Sequence, residues 1–206
     1  MAASGAAAAK VFVDRNHNGI MDAGDDPVPG AGFIVNGSAQ LERTSAAGAA
    51  WLARLAPNQH SDISLDASTL EDPQWLAQRK GVRIVPRAGK VSEVDFALVI
   101  TGEIDGTVYQ LARGKKKAAG DVELELVDAG GAVAGTASSS SDGYFVLTGV
   151  LPGVYQLRMA PLQLARLGIA PPPAHQVRMD DDGTFINGKD FVITSAPTMV
   201  TAAAPK

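Results

Sequence analysis

Two stretches of this chain, about 95 residues apart, follow one pattern, and that repetition limits the fold more than any other feature. GAAWLARLAPNQHSDISLD (48–66) and GYFVLTGVLPGVYQLRM (143–159) each read as a small residue, an alternating strand, a Leu/Pro joint and a second alternating strand. VDFALV (94–99) and KDFVIT (189–194) close the two copies alike. A repeat of that length means tandem copies of one domain type rather than a single large core.

Within each copy the apolar residues alternate over short runs. KVFVD, GFIVNG, AQLERTS, ISLDAS, VRIVPR and VSEVDFALV belong to the first copy, and GEIDGTVYQLA and DVELELVD to the second. In the last of these Val122, Leu124 and Leu126 face one way and Glu123 and Glu125 the other. The 22 Gly and 12 Pro fall between the runs as joints, where they end strands and block helices. Seven or so short strands per copy, with a turn about every 8–12 residues, predict an all-β chain of two tandem antiparallel β-sandwiches. The expected cores hold Phe33, Trp51, Leu65 and Phe96 in the first, and Leu124, Tyr144, Tyr155 and Phe191 in the second. PLQLARLGIA has helical residues but stops at three prolines, which predicts a turn or one loose helical piece. The expected division is a disordered leader over 1–9, domains over 10–100 and 101–195, and a disordered tail over 196–206. Such a chain reads as part of a longer protein.

Several function classes are disfavoured. A net charge of −4 lacks the basic face that nucleic acid requires. No apolar run approaches the roughly 20 residues of a membrane helix, so insertion by this chain is not expected. The absence of cysteine removes disulfides, thiolate metal sites and a Cys nucleophile. His17, His60 and His175 have no ligand-spaced neighbours, and no nucleophile elbow or phosphate loop occurs, so the chain is not expected to be an enzyme.

One segment carries chemistry. DRNHNGIMDAGD, Asp14 to Asp25, places oxygen side chains at loop positions one, three and five (Asp14, Asn16, Asn18). Gly19 follows at the sharp turn, Ile20 offers its backbone carbonyl, and Asp22 and Asp25 stand at nine and twelve. A hard cation seeking six to eight oxygens at about 2.3–2.6 Å needs this alternating supply, so the expected cofactor is a structural Ca2+. Strands flank the loop where an EF-hand would have helices, which points to a fixed staple rather than a sensor. The alternative is an Asx-rich turn that satisfies itself through its own hydrogen bonds.

VFVDRNHNGIMDAGDDPVPGAGFIVNG resembles the opening of SdrD B-like domains of bacterial surface adhesins, on Asp14, Asn16, Asn18, Gly19, Asp22 and Gly24. Asp25 stands where that family usually has Glu; a shorter acid reaches less far, and Asp26 beside it is a second candidate to close the site. IDGTVY and SDGYFVLTGVLPGVYQLR resemble the carboxypeptidase regulatory-like, transthyretin-like sandwiches. Together these resemblances imply prealbumin-like (Ig-like) sandwiches serving as a structural or spacer module of a cell-surface, extracellular, periplasmic or outer-membrane-associated protein, sometimes pilus-associated. The implied partners are other domains of a larger surface protein. An alternative is adhesion, with loops at one end of the sandwiches holding a protein or glycan.

Four further features have plain readings. The acidic turn Asp180–Gly183 lacks spaced partners and reads as a solvated hairpin. Arg113, Lys115, Lys116 and Lys117 form a basic tip whose ordinary role is solubility. Trp75 is expected on a long connection, plugging an open sandwich end or anchoring a ligand. Lys10 and Asp95 lie on strands where related pilin sandwiches form an isopeptide, although Lys10 is expected to precede its strand.

Overall fold

The computed structural model describes residues 4–112 and 114–194. The chain divides into two units, Met1–Thr101 and Gly102–Lys206.

Unit one contains β1 (Gly5–Val13), β2 (Asp26–Pro27), β3 (Gly32–Val35), β4 (Ser38–Arg43), β5 (Ala49–Leu55) and β6 (Ser61–Asp66). After a 3-10 turn at Ala67–Thr69 come β7 (Trp75–Ala77), β8 (Val82–Ile84) and β9 (Val91–Ile100). One sheet runs β2-β1-β9-β7, with β5 also on β1, and the other runs β4-β3-β6-β8. Between them lies a core built around Phe33 and Phe96, whose rings are 6.0 Å apart.

Unit two contains β10 (Gly102–Ala112), β11 (Lys115–Ala118), β12 (Glu123–Asp128), β13 (Val133–Ser138), β14 (Tyr144–Val150) and β15 (Gly153–Met159). The helix α1 (Pro161–Leu167) precedes β16 (His175–Met179), β17 (Phe185–Ile186) and β18 (Phe191–Thr194). Here β11-β10-β14, with β17 and β18 on β10, faces β13-β12-β15-β16. Phe145 and Phe191 meet at 6.3 Å in its core.

Both units are β-sandwiches, antiparallel except where the last strand meets the first. β9 lies parallel to β1 from Ala6↔Val91 to Val13↔Leu98, and β17 and β18 lie parallel to β10.

The sequence repeat is a repeat of hydrogen bonds. In unit one, β5 pairs with β1 up to Lys10 and β2 takes over the same edge at Phe12. At the changeover the Val11 N–H donates to Gly48 O and the Val11 carbonyl accepts from the Val28 N–H. In unit two, Val108 donates to Gly143 O and accepts from the Ala119 N–H. Gly48 and Gly143 both have positive φ, 69° and 81°, and a Cβ on either would overlap the carbonyl oxygen of Val11 or Val108. Only glycine fits there. A buried hydroxyl completes each corner. Thr44 Oγ1 donates to Val28 O and accepts from the Ala31 N–H, and Ser139 Oγ donates to Ala119 O and accepts from the Val122 N–H.

Several expectations need correction. The first strand begins at Gly5, so 5–9 are not a disordered leader: Ala7 and Ala9 are fully buried on the core face of a strand hydrogen-bonded on both edges. Residues 1–3 and the expected tail 196–206 lie outside the described residues. Trp51 and Tyr144 are 53% and 43% exposed, whereas Leu52 and Phe145 next to them point inward. A left-handed residue in each strand, Arg54 (φ 60°) or Gly149 (φ 68°), absorbs one position, so that Leu52 and Leu55, or Leu147 and Val150, share the core face. Leu65 is half-buried, while Phe33, Phe96, Leu124, Tyr155 and Phe191 are core as expected. Trp75 belongs to a strand, and so does Lys10. The PLQLARLGIA segment forms the single helical piece, one of its two expected forms; it ends at left-handed Gly168 and buries Leu164.

Candidate metal centre

The Asp14–Asp25 loop hangs from the end of β1. Asp14 itself follows the strand directly, and its N–H still donates to Leu98 O of β9. That placement makes it 1% exposed, the one buried charged side chain among the described residues. Both of its oxygens accept hydrogen bonds. Oδ2 accepts from the Gly19 N–H at 2.7 Å and from Gln78 Nε2 at 2.7 Å, and Oδ1 accepts from the Asn18 N–H at 3.2 Å. Burial pushes this carboxyl up, but hydrogen bonds from Gly19, Gln78, Asn18 and His17 outweigh it and hold the group below its ordinary 3.8.

The remaining donors gather around Asp22 and Asp25. Asn16 Nδ2 and Asn18 Nδ2 both donate to Asp22, at 3.0 and 2.8 Å. Asn18 Oδ1 accepts from the Ile20 N–H, and Asn16 Oδ1 from the Asn18 N–H. Asp25 closes the ring, accepting from the Arg15 N–H and the Asp22 N–H, both at 2.9 Å. Asp26 faces away into an ion pair with Arg15 at 2.6 Å, about half exposed on both sides. Of the two candidates for closure, then, Asp25 lies on the loop's own network and Asp26 does not. His17 sits at φ 58° and is exposed, and Ile20 is 66% exposed.

The donor set is all oxygen, which suits a hard cation. Among the described residues no three His, Cys, Asp or Glu side chains gather closely enough to hold a metal by themselves. An ion would therefore draw on the Asn16 and Asn18 amides and the Ile20 carbonyl as well as Asp14, Asp22 and Asp25. The two amides now turn their nitrogens to Asp22, and a half-turn about the last side-chain bond presents oxygen instead. On residue type and spacing the group fits. The network also shows how the loop meets its own negative charges with N–H donors, so cation-free ordering is within its chemistry.

Two participants could not be seen in sequence. Gln78 lies 64 positions from Asp14 and reaches it only because β7 docks on β9. Arg15 reads as one charge inside an acidic run, yet it commits Asp26.

The other features are plainer. Trp75 is partly buried against the unit-one core and pairs with Ile100, so it covers the sandwich from a strand rather than from a long connection. Asp180, Asp181 and Asp182 are exposed; Asp180 accepts from Arg178, and Asp182 from the Thr184 hydroxyl. Lys115, Lys116 and Lys117 are exposed on β11, with Lys116 Nζ 5.2 Å from the Tyr109 ring centre; Arg113 lies outside the described residues. Lys10 and Asp95 are direct partners in the β1–β9 register, but Lys10 is on the exposed outer face, which offers none of the burial an isopeptide needs. His60 is exposed, and His175 Nε2 lies 2.8 Å from Asp190 O with its ring edge-on to Phe191. Among the described residues no helix is long and apolar enough to cross a membrane.

No family model matches this chain, and no curated protein matches it. Solved structures do. The Bacillus anthracis TIE protein is 14% identical over 94% of this chain, at a TM-score of 0.40, and the chain spans about a third (34%) of its length. GBS52, the minor pilin of Streptococcus agalactiae, is 13% identical over 98% of this chain and 100% of its own, at 0.46. BcpA, the major pilin subunit of Bacillus cereus, is 9% identical over 92% and 99%, at 0.34. The fold stands on its strand pairing and not on these likenesses.

Proposed function

We propose that this chain is a non-enzymatic structural module of a bacterial cell-surface or outer-membrane-associated protein, joined to other domains of that protein, and that its first unit binds a structural calcium ion through Asp14, Asn16, Asn18, the Ile20 carbonyl, Asp22 and Asp25. The observation that carries the calcium reading is the coincidence of EF-hand spacing with strand flanks. Oxygens at positions one, three, five, nine and twelve leave the end of β1, and the first of them is already buried. The ion would replace internal N–H donors around Asp22 and staple the exit of β1 to the start of β2. Two sandwiches with glycine-locked corners suit a spacer.

A thermal melt in calcium and then in chelator is the test. An ion at about 100 times its Kd stabilises the folded unit by about 2.7 kcal/mol, so the unit-one transition should fall several degrees on chelation while unit two stays put. Superimposable melts would remove calcium from the proposal.

A further inference from the structure

We infer that Gln78 is the positioning residue of the calcium loop: it fixes the Asp14 carboxylate from outside the loop and ties the order of the loop to the docking of β7. This rests on the calcium reading above. The observation is a single strong contact in a specific place. Gln78 Nε2 donates to Asp14 Oδ2 at 2.7 Å across 64 residues of sequence, and Asp14 is the most deeply buried oxygen ligand of the set. Gln78 is itself held, because its N–H donates to Ala97 O of β9, one residue before the Leu98 carbonyl that accepts from Asp14 N–H. The backbone and side chain of Asp14 are thus fixed to the same stretch of β9, the one directly and the other through Gln78.

The amide is the right group for this task. Its NH2 end restrains one carboxylate oxygen by a charge-assisted bond while adding no charge of its own. Its Oε1 lies toward Gly19, 3.8 Å from where a Cβ on that glycine would stand. The side chain therefore covers the sharp turn of the loop at its sixth position. A carboxylate set by an outer hydrogen bond reaches a cation without first losing rotamer freedom, and removal of such a partner typically weakens metal binding about 10–100-fold. Unit two offers a contrast: between β15 and β16 it has α1 and a proline run where unit one has β7 and Gln78, and at its own first connection it has a lysine hairpin instead of an acidic loop.

The decisive experiment is calcium titration calorimetry on the whole chain, wild type against Gln78→Leu and Gln78→Glu, with melts of each in chelator. Gln78→Leu should raise the Kd by about tenfold or more. Gln78→Glu should behave differently in the two states. In chelator it sets a second carboxylate against Asp14 and lowers the unit-one transition, and in calcium that deficit should shrink because the cation is shared between the two acids. A merely structural glutamine would lower the melts of both variants equally with and without the ion and leave the Kd unchanged, which would overturn the positioning role alone. Wild type that takes up no calcium would overturn both this role and the calcium reading.

Discussion

The acidic loop of unit one and the lysine hairpin of unit two leave the same corner of the same fold, and they are held in opposite ways. In unit two, β10 runs on to Ala112 and β11 begins at Lys115, so four backbone pairs from Tyr109↔Ala118 to Ala112↔Lys115 carry the connection. In unit one, β2 is only two residues long, and the twelve residues before it are ordered by side-chain oxygens meeting backbone N–H groups. A connection that gives up its ladder must satisfy its backbone by other means, and Asp and Asn are the residues that do so. The corner beneath is unchanged. Val11 with Gly48, Val28 and Thr44 repeats as Val108 with Gly143, Ala119 and Ser139, so the two connections differ while their anchors do not.

The strongest way to break this equivalence is at the glycines. Gly48→Ala and Gly143→Ala each force a Cβ into a carbonyl oxygen at a left-handed φ, and each should cost its own unit about 2–4 kcal/mol. Calorimetry that resolves two transitions should show the first moved by one variant and the second by the other, and a variant that moves neither would show that the corners do not anchor the units. Next come the buried hydroxyls. Thr44→Val and Ser139→Ala leave a carbonyl and an N–H without their partner, a loss of about 1–3 kcal/mol in each unit by urea denaturation. Similar values would bear out the equivalence, and a loss in only one would confine it to the backbone. The smallest effect sharpens the difference between the units. Because Asp14 titrates below its ordinary 3.8 in the folded chain, its contribution is complete at neutral pH. It drains away as pH falls from about 4 through the lowered folded value, since the unfolded chain binds the proton first. Unit one of wild type should therefore lose stability in acid relative to an Asp14→Asn variant, and parallel pH profiles would remove Asp14 from that role.

Much of this was legible in the chain. Alternation in DVELELVD and the doubled Gly-strand-Pro-strand run were enough for two sandwiches, because strand period and turn chemistry are local properties. The loop was visible for the same reason, since all its oxygens fall within twelve residues. What escaped was non-local or sterically unusual. GAAAA carries little strand propensity, yet it forms a strand because β5 and β9 pair with it on both edges, a tertiary effect that overrides local preference. Trp51 and Tyr144 look like core residues by size, but one left-handed position in each strand assigns the interior to their neighbours. Gln78 gave no signal at all, because its significance exists only once β7 has found β9.

The parallel pairing of β1 with β9 has a mechanical meaning. The first strand of unit one starts at one end of that pair, and the last strand finishes at the other. A pull on the two ends of the unit would drag these strands past each other lengthwise, so the eight register pairs between Ala6↔Val91 and Val13↔Leu98 take the load together rather than opening one by one. Such a seam yields at a higher force than a hairpin peeled from its end. Asp14 sits at the last step of that seam, bonded to Leu98, so whatever steadies its loop also steadies that end of the seam.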